Sequence, residues 1–400
     1  MVAVLNYLYH PVMSRMLSVE DFGEVQVLFS IFGLVAVPLS IFNIIALNLY
    51  TNHKSFNSES VQQFSLLTGY VAGITALVLI LATPFITTKL QLSSQIELPL
   101  VAIAILFGAF SIFGKAYLQA THKFGLTSIA YAIGAGGKLL VAVLLVSLGF
   151  NVTGAIGGLL IASILTFGFV KLYAREYIAL PKRALLHFTP ELRNELGFGL
   201  IVLAGTGLII FFTLADIIFA KYLFTPEEAG LYSGISVVGR IILFLTASIA
   251  GVLLAHVKIS APVQENRKFL KQGLLLTALI GGAVLLMFIL IPNFVISLLV
   301  GSEYVVLAHL LPLVGLYIFI VTLINVCISY GIALRQKSII IIGIFGIVST
   351  MALVSVLPAS PLGLAQGFLI SCVVTFIICL YIQFFQPPAT THHAPATTPH

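Results

Sequence analysis

Leu274-Leu275-Leu276-Thr277-Ala278-Leu279-Ile280-Gly281-Gly282-Ala283-Val284-Leu285-Leu286-Met287-Phe288-Ile289-Leu290-Ile291 runs for 18 residues without a charge and without regular alternation of polar and apolar positions. A helix needs about 20 mainly apolar residues to cross hydrocarbon. A barrel strand would alternate over about 10 residues. Only helices and closed barrels satisfy every backbone group in lipid, so this stretch reads as a membrane helix. Ile201–Phe212 and Ile339–Leu357 read the same way. Only 8% of the 400 residues are charged, against 60% hydrophobic, with a mean hydropathy of +1.15. Soluble domains carry about 25% charged residues, so a water-facing surface cannot be assembled from this composition.

Reading apolar stretches between polar breaks predicts about twelve helices. They cover 1–17, 24–50, 64–88, 98–121, 125–149, 153–174, 196–222, 229–256, 270–299, 304–332, 338–357 and 361–384. Pro38, Pro84, Pro292 and Pro312 are expected to kink or bound helices, because proline removes a backbone donor. The first stretch is short for a crossing, and a misplaced start or an incomplete first helix is expected. It lacks the basic n-region and cleavage site of a signal peptide. The tail from Gln386 to His400 is Pro, Thr, Ala and His, a composition that cannot bury a core and is expected to be disordered. Cys327, Cys372 and Cys379 all fall in apolar spans, with no disulfide framework and no metal spacing. No cofactor and no metal is expected.

Orientation follows from Lys and Arg. Alternating the spans puts thirteen of them on the side that holds the 175–195 loop, among them Lys54, Lys123, Arg175, Lys182, Lys268 and Lys337. Only Arg15, Lys89 and Lys221 fall on the other side. The basic side is therefore expected to be cytoplasmic, with both termini there, and the net charge of +6 calls for no nucleic acid. With no Trp in the chain, an interfacial belt is expected from Tyr50, Tyr173, Tyr177, Tyr222, Tyr304 and Tyr381.

The two halves repeat. Leu17-Ser18-Val19-Glu20-Asp21-Phe22-Gly23-Glu24-Val25 follows the first helix, and Phe224-Thr225-Pro226-Glu227-Glu228-Ala229-Gly230-Leu231-Tyr232 the seventh, an offset of 230 − 23 = 207. Ser18 or Thr225 can cap the next helix, the acids suit its first turn, and Gly allows close approach. Gly154-Ala155-Ile156-Gly157-Gly158 and Gly363-Leu364-Ala365-Gln366-Gly367 share Gly-x-x-x-Gly at 363 − 154 = 209. His122-Lys123 and Gln336-Lys337 follow the fourth helix of each half at 337 − 123 = 214. Because each half has an even number of helices, the repeat is parallel, about an axis along the membrane normal. The expected fold is all-α and polytopic: about twelve transmembrane helices in two repeated six-helix bundles around a central cavity. The divisions are 1–174, a basic cytoplasmic linker 175–195, 196–384, and the tail 385–400. This is a transporter architecture, with no filter-like loop or acid ring of a channel and no constellation of an enzyme.

Arg15-Met16-Leu17-Ser18-Val19-Glu20-Asp21-Phe22-Gly23 resembles the R-x-L-x-x-x-D-[FY]-G start of polysaccharide flippases. So does Asp216 followed by Thr225-Pro226-Glu227-Glu228-Ala229-Gly230-Leu231-Tyr232 and Arg240. These are the O-antigen type proteins of the multidrug/oligosaccharidyl-lipid/polysaccharide exporter superfamily. The resemblance covers nearly the whole chain in helix count and repeats. It implies a V-shaped central cavity and movement of an undecaprenyl-diphosphate-linked oligosaccharide from the inner to the outer leaflet of the cell membrane. The implied partners are membrane lipid, the lipid-linked glycan, and the polysaccharide polymerase and glycosyltransferases of the same route. The short N-terminus departs from the family and puts the first helix's cavity residues in question.

Four ionisable residues fall within helices: Lys115, Lys138, Asp216 and Arg240. A charge at a helix centre costs about 2.5–3.5 kcal/mol on insertion scales, so such residues face a bundle interior or a wet cavity. Lys115 shares a face with Gly108, Ser111, Gln119 and His122; Lys138 with Ser128, Tyr131 and Ala135; Arg240 with Ser233 and Ser236. Lys115 and Arg240 are expected roughly 12 Å from the cytoplasmic boundary, with Lys138 nearer the middle. Asp216 and Arg240 either pair with each other across the seventh and eighth helices or face the substrate. Lys115 and Lys138 either snorkel or meet the diphosphate. The candidate substrate-binding residues are thus Lys115, Lys138, Arg240, Asp216, Gln119, Tyr131 and Ser236. His10, with Asn6 and Ser14, forms a weaker polar face and is a candidate for proton coupling. The competing reading is a cation-coupled multidrug or small-molecule exporter of the same superfamily, for which intramembrane acids would be expected. A peptidoglycan-precursor flippase would need extra helices.

Overall fold

The computed structural model describes residues 2–52, 59–174 and 190–385, and everything between the turns is helical. The first span is α1 (Val2–Met16). The second breaks at Ala36 into α2 (Val19–Val35) and α3 (Val37–Asn52), bent by 48°. The third is α4 (Glu59–Leu81) with α5 (Thr83–Lys89), and the fourth α6 (Glu97–Phe110) with α7 (Ile112–Ala120). The fifth and sixth are α8 (Phe124–Ser147) and α9 (Asn151–Tyr173). The second half opens with α10 (Pro190–Leu223), followed by α11 (Pro226–Gly239) with α12 (Ile241–His256) and α13 (Val263–Leu290) with α14 (Pro292–Leu299). A 3-10 segment, Ser302–Leu310, leads into α15 (Leu311–Ala333), and α16 (Ser338–Val356) and α17 (Pro361–Phe385) complete it. Among the described residues ten spans are long and apolar enough to cross a membrane, or eleven counting the bent α2–α3 pair. The 15 residues of α1 make the twelfth, shorter span. The chain is a multi-pass membrane protein.

The breaks have local causes. Pro38, Pro84, Pro292 and Pro312 each stand in the first turn of a helix that resumes after a break, where the missing donor costs least. The expected disordered tail from residue 386, residues 175–189 of the expected linker and Lys54 lie outside the described residues. Phe385, assigned to the tail, instead closes α17.

Packing repeats pair for pair between the halves. In the first, α9 packs on α8 and α6, α6 on α4, α1 on α8, and α3 on α7 and α4. The equivalent pairs of the second are α17 with α16 and α15, α15 with α13, α10 with α16, and α12 with α15 and α13. The turn chemistry repeats too. Ser18 accepts from the Asp21 N–H, and Thr225 forms a capping box with Glu228. After the fourth span of each half the chain turns through a left-handed residue, His122 (φ 57°) or Arg335 (φ 52°). The next amide then bonds back five residues, Lys123 to Leu118 and Gln336 to Gly331. That hydrogen-bond register aligns Lys123 with Gln336, one residue off the pairing read from the basic turn.

The halves meet where α2 and α3 lie against α10 and α11. Gly23 and Gly230, the repeat-equivalent glycines, face each other so closely that a Cβ on Gly23 would lie 2.6 Å from the Gly230 Cα. Equivalent residues in mutual contact are what a pseudo-twofold axis produces when it passes between them. We call the end at which α9 finishes and α10 begins the basic end, and the Gly23–Gly230 end the far end. The far end is sealed by further contacts. The Arg15 guanidinium donates to the carbonyls of Leu298 (2.5 Å) and Leu299 (3.2 Å). Phe22 meets Tyr304 edge-on at 5.7 Å. Lys221 of α10, 2% exposed, lies in the field of Glu24, Glu20 and Asp21 of α2.

The tyrosine belt is smaller than expected. Tyr173, Tyr222 and Tyr381 are exposed, whereas Tyr50 and Tyr304 are buried. Tyr304 fills the space left by Gly234 of α11 and Tyr50 packs on Phe113 and Tyr117, so both build the core. Tyr177 lies outside the described residues.

Candidate functional site

Asp216 is carried on α10 and is completely buried. Its carboxylate accepts from Ser236 Oγ at 2.5 Å, Tyr317 OH at 2.5 Å and an Arg240 terminal nitrogen at 3.1 Å. The same Arg240 nitrogen donates to Ser236 Oγ at 3.2 Å. Arg240 and Asp216 form the one salt bridge among the described residues. A buried carboxylate is tolerated only when its oxygens are this fully engaged. Asp216 is thus an anchor that holds the guanidinium in place, and the pairing alternative is the one realised. Arg240 lies at the junction of α11 and α12, sixteen residues before His256, about 24 Å at 1.5 Å per residue. It is mid-span, not 12 Å from the basic end. Lys115, five residues before the end of α7 at Ala120, is near that end as expected.

The first half contributes a second group. Lys138 of α8 is 8% exposed. It donates to Asn6 Oδ1 of α1 at 3.1 Å and stands over the rings of Tyr9 (4.7 Å) and Phe29 (5.1 Å). Aromatic faces attract cations electrostatically, more so when desolvated. Tyr9 is itself fixed by donating to the Ala155 carbonyl at 3.1 Å. Lys115 stands over Tyr131 at 5.4 Å, one α8 face joining Tyr131 to Lys138. Neither lysine has a carboxylate within salt-bridge distance among the described residues.

Between these groups is a cavity of about 150 Å³ whose walls come from both halves. His10, Gln26 and Phe29 face Thr213, Arg240 and Phe244 across it. His10 lies in the field of both Lys138 and Arg240. His10 Nδ1, both amide atoms of Gln26 and Arg240 Nε are buried and make no well-formed hydrogen bond among the described residues. Buried polar atoms in native proteins are normally paired; here His10 and Gln26 are close enough to act on each other, and Arg240 Nε is left facing the same cavity without a protein partner among the described residues. Tyr7 of α1 and Phe244 of α12 close one side, edge to face at 5.7 Å.

Of the expected residues, the structure brings together Arg240, Asp216, Ser236 and His10, and sets Lys138 against Phe29 on the cavity wall. Lys115 and Tyr131 form a separate station toward the basic end; Gln119, one turn beyond Lys115, is half-exposed there. Gln26 and Tyr317 were not singled out by sequence reasoning. Gln26 gave a signal, being a lone amide in an apolar span three residues after Gly23. Tyr317 gave none, since a tyrosine in an apolar run reads equally well as packing.

The family model described as polysaccharide biosynthesis protein matches residues 12–309. No curated protein matches the chain. Among solved structures, an inward-facing multidrug resistance MATE family transporter of the MOP superfamily aligns with a TM-score of 0.69 at 14% identity, covering 95% of this chain and 94% of that one. An outward-facing MATE family transporter of the same superfamily aligns at 0.65 and 15%, covering 96% and 93%. A MOP superfamily transporter from Pyrococcus furiosus, described as having a binding pocket of reverse polarity, aligns at 0.65 and 16%, covering 96% and 92%. At such identities the likeness shows the fold: two six-helix bundles arranged as in MOP superfamily transporters.

Proposed function

The chain belongs to the polysaccharide biosynthesis protein family, and on that footing we propose that it flips a polyprenyl-diphosphate-linked oligosaccharide from the inner to the outer leaflet by alternating access. The observation that carries the reading is the cavity shared by both halves. It has an anchored guanidinium, the polar side chains of His10, Gln26 and Thr213, and no carboxylate among the described residues that line it. Arg binds phosphate through a planar fork and Lys as a point charge. In the proposed cycle the diphosphate is attracted first by Lys115, then by Lys138 and Arg240. Gln119 and Tyr131 are the proposed polar lining for the sugars, Ser236 instead helps hold the Arg240–Asp216 pair, and His10 carries the coupling proton. A polar passage is required because sugar hydroxyls moved into lipid lose their water partners at roughly a few kcal/mol each.

The basic end is proposed as cytoplasmic, on the strength of the Lys/Arg bias, with both termini there and the protein in the inner membrane. The expected linker shortens because α10 already begins at Pro190, so segments 1–174 and 190–385 are the bodies proposed to rock, joined through 175–189. The sealed far end then corresponds to a state open to the cytoplasmic side. Glycosyltransferases that make the lipid-linked glycan and a polymerase that consumes it are the proposed partners. The exporter reading gains nothing from the site, because Asp216 already has three partners.

The test compares Lys115→Ala and Lys138→Ala for protein level and for surface glycan. Arg240→Ala is less informative alone, since it strands Asp216. Normal protein with reduced glycan supports the proposal. Normal glycan in both variants and in their double mutant rejects the cationic passage.

A further inference from the structure

A second cavity, of about 300 Å³, lies between α12 and α13 toward the basic end. One wall is Ser248, Val252 and His256 of α12; the other is Phe269, Gln272 and Leu276 of α13. Its surface is nearly all apolar, and Val252 and Leu276 are 58% and 50% exposed. Gly273 keeps the floor narrow, since Leu253 occupies the space a side chain there would need.

The groove and the central cavity share no lining residue, but they follow one another along α12. Phe244 lines the central cavity, and Ser248, one turn later, lines the groove. Rows of residues four apart incline across a helix surface, so the row Phe244, Ser248, Val252, His256 winds from the inter-half cavity round toward α13. Its mouth is basic. Lys258 follows α12, and its backbone is pinned by Asn266, whose amide donates to the Lys258 carbonyl at 2.8 Å. Lys268 stands one turn before Gln272 on the row that continues to Leu276, and both lysines are exposed. Glu265 is the one acid in the first turn of α13, against Arg267, Lys268 and Lys271 beyond it. An apolar trough in the membrane with ammonium groups at its rim matches a lipid with a long hydrocarbon tail and a phosphate head.

We propose that the α12–α13 groove is the docking site of the polyprenyl diphosphate substrate in the inner leaflet, with its chain in the groove and its phosphates at Lys258 and Lys268, before the head group enters the central cavity. The inference rests on the flippase reading and adds where the lipid waits. Occupant and route are linked by the Phe244–Ser248 step: a head group leaving the rim moves along α12 into the central passage while its chain stays in the groove.

A photoreactive benzoylphenylalanine is placed at Val252 or at Leu276 in the full-length protein in nanodiscs, and labelling by radiolabelled polyprenyl diphosphate is measured. Both positions are expected to label, and unlabelled polyprenyl diphosphate should compete at least tenfold better than phosphatidylglycerol or uncharged polyprenol. The Lys258→Ala/Lys268→Ala double variant should reduce labelling at least fivefold. Absence of labelling at both positions, equal competition by phosphatidylglycerol, or labelling indifferent to the two lysines each overturns the proposal. Transbilayer movement measured on the same preparations separates the two readings. Flipping without groove labelling removes the groove and leaves the flippase; groove labelling without flipping does the reverse.

Discussion

Replacing Gly23 by alanine would put a Cβ 2.6 Å from the Gly230 Cα and 3.0 Å from the Gly230 N. Ordinary contact begins near 3.4 Å, so the two helices must separate by about 0.8 Å or more. The obstacle is backbone on both sides, and no side chain can rotate away. Overpacking of this kind costs about 1–3 kcal/mol. If the far end is a seal that opens and closes, the cost falls on the closed state alone and lowers its population relative to the open one by about 5- to 150-fold. Gln26, 1% exposed on the central cavity, can report this. In a Gln26→Cys background an impermeant thiol reagent applied from the far side should react slowly, and Gly23→Ala should raise the rate within that 5- to 150-fold range. The three native cysteines are buried and contribute little background. An unchanged rate, with thermal stability also unchanged, would refute the idea that the glycine pair closes the far end. A loss of stability without faster labelling would make Gly23 a packing residue only.

Asp216→Asn should cost about 3–5 kcal/mol by leaving Arg240 buried without its counter-charge, seen as a lower unfolding temperature, and pairing it with Arg240→Gln should recover most of that loss. Thr225→Ala removes the capping box of α11 and should cost about 1 kcal/mol, measured by denaturation in detergent. Cysteines placed at Lys182 and Lys268 should resist an impermeant thiol reagent in intact cells, and ready labelling from outside would invert the orientation.

The spans, their breaks and their repetition were legible because lipid imposes long apolar runs that few sequences disguise, and because proline and glycine mark the places where helices stop or touch. The glycine offset of 207 even pointed to two residues that meet in space. Depth was less legible. Arg240 sits at mid-span, between α11 and α12, deeper than its sequence position suggests, because the span continues unbroken in hydropathy across the α11–α12 junction. Tyr50 and Tyr304 were read as interfacial from position alone, yet burial depends on which neighbour is small, and Gly234 makes room for Tyr304. The site divided similarly. Charged residues in apolar spans announce themselves by their insertion cost, so Lys115, Lys138, Asp216 and Arg240 were found. Their grouping was not, because a helical face says what a residue shares its own helix with and nothing about the helix opposite. The Asn6–Lys138 bond and the Tyr317–Asp216 bond each join positions more than 100 residues apart.

Flipping itself can be read by reconstituting the protein in proteoliposomes with a fluorescent polyprenyl-diphosphate oligosaccharide in one leaflet and following its accessibility to an impermeant quencher on the other side. The expectation is movement that depends on the protein and falls at least tenfold in Lys138→Ala, a change that removes one hydrogen bond and the cation's contacts with Tyr9 and Phe29 but leaves the Arg240–Asp216 pair intact. Folded protein that leaves the labelled lipid where it started, or a Lys138→Ala variant that moves it at the wild-type rate, would contradict it.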